Sequence, residues 1–201
     1  MTYLFIDTET TGLPDFKLDL DHPFQPRVVQ IAMIMTDKDA NILNEACFIL
    51  KPNDYTIPDE CAAIHGINTE TALQHGIKPL GAFQLLCSLI GRSQLIVAHN
   101  MKFDWFMIQI ELARLGLGLG DGYETYCTAD GSRDIIKLPP TQKMIQKKVA
   151  GYKNPNLLQA YQFFFNKDFE GTAHTAMADA KACMDIFFAI QKHQHADQKV
   201  E

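Results

Sequence analysis

The sequence predicts an α/β fold: a mixed five-stranded sheet flanked by helices, in one domain. Three observations predict it. Apolar, strand-like runs come first, at 3–7, 28–35 and 42–50. Two shorter runs follow, at 94–98 and 126–128. Segments that read as helices lie between and after them, at 79–90, 101–115, 156–165 and 175–192, the alternation of a layered α/β domain.

The first run, Tyr3 to Asp7, leads into Thr8-Glu9-Thr10-Thr11-Gly12-Leu13. The polar stretch 14–27 carries three prolines and reads as a loop or insertion. The second run is continuously apolar apart from Gln30, as expected of a buried strand. Asp37-Lys38-Asp39-Ala40-Asn41 supplies a turn into the third, which makes these two an antiparallel hairpin. Pro52 and Pro58 bracket a further loop. Asn68 or Thr69 caps a short helix ending near Gly76. Pro79 opens a clearer helix with Leu80, Phe83, Leu86, Leu89 and Ile90 on one stripe. The helix from Met101 is read as capped by Asn100 and stopped at Gly116. The glycines from Gly116 to Gly122 follow a helix, the reverse of the dinucleotide-binding order, and read as a turn. A loop at 137–155, with a short helix inside it, precedes the last two helices. Residues 194–201 form a polar tail behind a domain of 1–193.

Composition narrows the class. The chain has 201 residues, 47% hydrophobic and 21% charged, enough for one domain with a sizeable core. No apolar run approaches the roughly 20 residues of a membrane span, and Met1 leads directly into the first strand, with no signal peptide expected. Five cysteines, none in a CxxC pair, read as reduced thiols in a cytoplasmic protein, and argue against a zinc site. The net charge of −6 is wrong for a protein that coats duplex DNA, so nucleic-acid contact is expected to be local and partly metal-mediated.

The candidate chemistry begins at Asp7 and Glu9. Side chains alternate along a strand, so the two carboxylates share a face, with Cα atoms about 6.6 Å apart at roughly 3.3 Å per residue. Both can reach one cation. A turn with two solvated acids explains the same ten residues. Asp104 falls in the first turn of a helix after Ala98-His99-Asn100, where an acid favours the helix dipole with no ligand at all. His174 and Asp179 open the last helix. Five helical residues turn through about 500°, so these two converge only if His174 lies at or before the helix start. The alanines at 173, 176, 178, 180 and 182 keep that helix thin enough to approach a sheet closely.

Taken together, Asp-x-Glu, Asn-x-x-Phe-Asp and His-x-x-x-x-Asp occur in an order that resembles the DEDDh family of 3′→5′ exonucleases, which contains the proofreading epsilon subunit of bacterial DNA polymerase III and ribonuclease T. Asp7 to Leu13 matches its first motif at every position, Ile64-His65-Gly66-Ile67 its Val/Ile-His-Gly-Ile segment, Ala98 to Asp104 its second motif and Ala173 to Ala180 its third. The resemblance covers residues 1 to about 190. Cys127-Thr128 stands where the family commonly has Asp-Thr.

The resemblance implies a ribonuclease-H-like fold and a two-metal 3′→5′ exonuclease releasing nucleoside 5′-monophosphates from single-stranded DNA. Asp7, Glu9, Asp104 and Asp179 would hold two Mg²⁺ or Mn²⁺ ions, hard cations suited to oxygen ligands. Without these four, 20 acids face 18 bases, so most of the negative excess would sit at one site. His174 would take the proton from the attacking water. Thr10, Thr11, Gly12 and Leu13 would lie against the terminal nucleotide, with His65 and Asn100 near the site. Phe103 is either a wall beside the terminal base or core, with core favoured. Trp105 and Phe163-Phe164-Phe165 read as core. No acid occurs from Ile135 to Asn166, while Lys137, Lys143, Lys147, Lys148 and Lys153 do; the stretch either guides a strand by its phosphates or is a solvated loop. A ribonuclease of the same fold and a non-catalytic nucleic-acid-binding module are the competing readings, and a DNA polymerase is a possible partner.

Overall fold

The computed structural model describes residues 1–119, 122–169 and 175–197. Five strands form one sheet: β1 (Thr2–Thr10), β2 (Val28–Asp37), β3 (Ile42–Ile49), β4 (Leu95–Ala98) and β5 (Glu124–Cys127). Their order is β3-β2-β1-β4-β5. β1, β2 and β3 pair antiparallel, whereas β4 runs parallel to β1 and β5 parallel to β4. The sheet is therefore mixed, as the sequence predicts. The helices are α1 (Asp59–His65), α2 (Thr69–His75), α3 (Pro79–Ile90), α4 (Met101–Leu115), α5 (Thr128–Ile136), α6 (Gln142–Gln146), α7 (Leu157–Phe165) and α8 (Ala176–Asp197).

The period-2 alternation of β1 splits the core. Leu4 and Ile6 join Ile31, Met33 and Met35 against Phe83, Leu86, Met107 and Ile108 of α3 and α4. Phe5 points the other way, with Ala32, Ile34 and Val97, against Ala176, Ala180, Cys183 and Phe187 of α8. Ala176 and Ala180 are fully buried, so small side chains do let α8 lie close on the sheet. Tyr3, Phe5 and Tyr126 meet Phe187 edge-on, with centroids 5.0, 5.5 and 5.4 Å apart.

Several local expectations are corrected. β1 continues three residues past Asp7, because β2 pairs with it as far as Thr10. α1 is a helix that the sequence does not announce: Pro58 precedes it, no side chain caps it, and His65 is its one buried residue. Asn100 stands at the start of α4 with φ 70° and makes no side-chain cap. α8 runs on to Asp197 rather than stopping near 192, so part of the expected polar tail is helical. Phe163 is half exposed rather than core, although Phe164 and Phe165 pack against Ala160, Ile186 and their neighbours. All five cysteines are free thiols. No helix among the described residues is long and apolar enough to cross a membrane.

Candidate active site

The site forms where β1 outruns its parallel neighbour. β4 pairs with β1 only over Tyr3–Phe5, after which the chain turns away into α4. Asp7 to Thr10 therefore project past the carboxyl end of β4 with one edge open, the crevice where open α/β sheets collect ligands.

Alternation puts Asp7 and Glu9 on the Phe5 side of the sheet, the side covered by α8. The first turn of α8 brings Asp179 to them. One carboxylate oxygen from each of Asp7, Glu9 and Asp179 lies within 4.8 Å of the others, a spacing able to hold a metal ion. Asp104 arrives from the opposite side. Thr8 points toward α4, and Asp104 Oδ1 accepts from the Thr8 amide (3.0 Å) and hydroxyl (2.8 Å), both buried. Asp104 thus stands outside the three-residue group but within its field. It sits in the first turn of α4, as Asp179 does in α8, where the helix dipole favours a negative charge.

Burial and mutual repulsion act on these acids together. Burial, then Asp104, Asp179 and Glu9, hold the Asp7 carboxyl well above its ordinary range. Burial and Asp179 push Glu9 up to about 7. Burial pushes Asp104 up to about 7 against the opposing hydrogen bonds from Thr8. Carboxylates arranged this way are stabilised in their ionised form only by a positive partner. The donor set is all oxygen, which suits Mg²⁺ or Mn²⁺.

The other anticipated residues fall as follows. Thr10 Oγ1 donates to the Gly12 carbonyl (2.9 Å), and Thr11 pairs with Arg27, its amide donating to the Arg27 carbonyl and its hydroxyl accepting from the Arg27 amide. Gly12 has φ 150°, a region that favours glycine. Leu13 is 86% exposed. His65 is buried; its Nδ1 accepts from the Ile67 amide (3.2 Å), and burial lowers its pKa while the Thr10 backbone opposes this. Asn100 precedes α4 in a left-handed conformation. Phe103 is half-buried against the α3/α4 side of the core, as favoured from the sequence, and so is Trp105, which also meets Tyr123 at 5.0 Å. His174 lies outside the described residues, as does its preceding loop at 170–173. The lysine-rich segment is closed by a Leu138–Lys153 bridge and leaves Lys137, Lys143, Lys147 and Lys148 exposed. Its far end is tied to the sheet by His99, whose Nε2 donates to the Pro155 carbonyl (3.1 Å) and whose Nδ1 accepts from Thr128 (2.9 Å). Burial takes His99 down to about 4, so it stays neutral.

Two residues at the site have roles that the sequence does not announce. Gln30 lies opposite Glu9 in the β1–β2 register, and its Oε1 accepts from the Ala176 amide (3.0 Å), fixing the α8 terminus one turn before Asp179. The signal was its being the one polar break in an apolar strand. Thr8, which orients Asp104, lies within the Asp7–Leu13 stretch that resembles the first motif, but nothing in that stretch says which distant acid it holds.

Comparison with known proteins agrees with this geometry. A family model described as exonuclease, of the RNase T type, matches residues 4–187. A protein of Escherichia phage 186, described as the uncharacterized exonuclease CP81, is 30% identical over 191 residues, covering 94% of this chain and 88% of that one. Among solved structures, E. coli exonuclease I in complex with a dT13 oligonucleotide superposes with a TM-score of 0.75 at 22% identity, over 99% of this chain and 43% of that one. The same enzyme with dA16 gives 0.71 at 22%, over 95% and 41%. Exonuclease I of Methylocaldum szegediense gives 0.70 at 20%, over 96% and 41%. The chain spans about two-fifths of the length of these exonuclease I chains.

Proposed function

Because this chain belongs to the RNase T exonuclease family, of DEDDh type and ribonuclease-H-like fold, we propose that it removes nucleotides from the 3′ ends of single-stranded DNA as nucleoside 5′-monophosphates. The observation that carries the reading is the convergence of Asp7, Glu9 and Asp179 within 4.8 Å, beside a buried Asp104. Residues 1–193 are the catalytic unit in this reading.

Asp7, Glu9 and Asp179 would hold one divalent cation, and Asp7 a second, with Asp104 acting through water. Two such ions would supply a clamp on the attacking and leaving oxygens of an in-line displacement at phosphorus. Thr8 keeps the Asp104 carboxylate aimed at the site, and Gln30 keeps the Asp179 turn in register. His174 would accept the proton of the attacking water, a role suited to an imidazole of ordinary pKa at neutral pH. The water oxygen bonds to phosphorus, the bond from phosphorus to the 3′ oxygen breaks, and that oxygen takes up a proton to leave a new 3′ hydroxyl. Thr10 to Leu13, at the open end of β1, would lie against the terminal nucleotide. The fold likeness to exonuclease I, which is seen with dA16 and dT13, supports single-stranded DNA over RNA as substrate.

The test uses 5′-labelled single-stranded DNA and a matched RNA, each with Mg²⁺, with EDTA, and with Glu9→Ala. A metal-dependent ladder that shortens from the 3′ end, is lost in the variant and is faster on DNA is the expected result. Absence of cleavage of both substrates under every metal tried would overturn the reading.

A further inference from the structure

The polar stretch 14–27 has no strand or helix, yet it is built as firmly as one. Gln25, 3% exposed, sits inside it. Its Nε2 donates to the Asp15 carbonyl (2.8 Å) and its Oε1 accepts from the Asp15 amide (3.1 Å). Arg114 reaches from α4 to the carbonyls of His22, Gln25 and Pro26 at 3.1, 2.8 and 2.8 Å. Glu111, 1% exposed, binds Arg27 Nε (2.9 Å) and the Val28 amide (3.1 Å), and Thr11 closes the loop base onto Arg27.

This scaffold holds a phenylalanine out in water. Phe24 is 86% exposed, as is Leu13. Full burial of such a side chain is worth roughly 1.5–3 kcal/mol, which the loop forgoes. Phe24 is not loose: its amide donates to His22 Nδ1 (3.2 Å), and the two rings meet edge-on at 5.3 Å. Phe24 and Leu13 line one cleft of about 780 Å³, within the ~300–1,000 Å³ of ordinary ligand sites. Thr11 and Gly12 line it too, so the cleft continues directly from the strand that carries Asp7 and Glu9.

Charge says what kind of group fits. The cleft walls carry Asp21 and Asp54 against Arg27 and Arg114. Both arginines are already engaged, Arg27 by Glu111 and Asp54, Arg114 by three carbonyls and Glu111. The one other aromatic ring in the wall, Tyr55, has its face covered by the Arg27 guanidinium at 4.6 Å. Phosphates are not drawn to such a cleft; flat apolar faces are.

We propose that this cleft seats the unpaired bases just upstream of the 3′-terminal nucleotide, and that Phe24 is the platform on which one of them stacks. The inference rests on the nuclease reading above and adds to it a preference for strands over mononucleotide esters, set by a residue outside the three motifs.

The test compares wild type, Phe24→Ala and Phe24→Trp on a single-stranded oligonucleotide and on the p-nitrophenyl ester of thymidine 5′-monophosphate, with Mg²⁺. Base–aromatic stacking of roughly 1–3 kcal/mol corresponds to about a 5- to 150-fold effect. Phe24→Ala is expected to lower the ratio of kcat/KM on oligonucleotide to that on ester by this factor, through KM. Phe24→Trp is expected to restore it, and the effect should not grow at low salt, since no phosphate contact is lost. An unchanged ratio in Phe24→Ala overturns the inference. Fluorescence anisotropy of the labelled oligonucleotide in EDTA keeps the test open if neither substrate is cut. In that case the nuclease reading fails, while weaker binding by Phe24→Ala would still support the cleft and equal binding would overturn it, pointing to a protein surface instead.

Discussion

The acid cluster ties folding stability to pH and to divalent cations in one direction only. Three unit charges within 4.8 Å of each other repel by about 3.5 kcal/mol per pair at an effective dielectric of about 20. The three pairs together, about 10 kcal/mol, rival the roughly 5–15 kcal/mol of stability of a whole domain. The metal-free site relieves this by keeping protons: Glu9 and Asp104 titrate near 7, and Asp7 is raised as well. For a carboxyl raised in the folded state, the folded protein binds more protons than the unfolded chain between the two pKa values. Metal-free stability must therefore fall as pH rises from about 4.5 to about 7. Glu9 alone, moved from 4.5 to about 7 but partly solvated, contributes on the order of 2 kcal/mol after discounting for screening. At about 2–4 °C per kcal/mol for a chain of this size, that is a fall in Tm of roughly 4–8 °C. A divalent cation reverses the sign, since it binds the ionised carboxylates and displaces protons. At a hundredfold excess over Kd it stabilises by about 2.7 kcal/mol, or roughly 5–10 °C, and more at pH above 7 than near 5.5. The assay is calorimetric melting across this pH range in EDTA and in millimolar MgCl₂, on wild type and Asp7→Asn. The variant is expected to melt higher than wild type in EDTA above pH 7 and to lose the gain from metal. A metal-free Tm that rises with pH, or a gain from Mg²⁺ that is the same at both ends of the range, would refute the reasoning.

Other perturbations test single contacts. Asp104→Asn keeps an oxygen for Thr8 and removes a charge, so it should fold normally and lose at least tenfold in activity; Asp104→Ala leaves the buried Thr8 amide and hydroxyl unpaired and should also lose about 1–3 kcal/mol in urea unfolding. Glu111→Ala strands the half-buried Arg27 and Arg114, and a loss of about 3 kcal/mol, seen as a Tm drop of roughly 6–12 °C, is expected. Gly76→Ala would drive a methyl into the Ala72 carbonyl and within 2.7 Å of the Lys51 amide, both backbone, so the urea midpoint should fall by the equivalent of about 1–3 kcal/mol at unchanged slope.

What could be read from the sequence was whatever repeats along the chain. The alternation of β1 set Asp7 and Glu9 on one face, the stripe of α3 marked that helix from Pro79 to Ile90, and Gly116 marked the end of α4. The order of the three motifs pointed to the family. Where periodicity was weak the reading failed. α1 has seven residues and a single buried one, too little for a stripe to show. Asn100 has the residue type of a cap but a left-handed backbone that turns its side chain away from the role. Phe163 sits in an apolar triplet, yet a helix buries only one face and leaves it outside.

The sequence by itself determined the five strands and the longer helices, the same-face pair of acids on β1 and the small-residue face of α8, because these depend on neighbours a few positions away. Only the tertiary structure decided that Asp104 and Asp179 meet that pair. Each acid alone is explained by a helix dipole. Their meeting depends on β1 lying between an antiparallel and a parallel neighbour, on β4 ending while β1 continues, and on Gln30 fixing the start of α8. Apart from the β1–β2 pairing, those are contacts between segments roughly 90 to 170 positions apart, and no local pattern in a chain encodes which of its distant turns will touch.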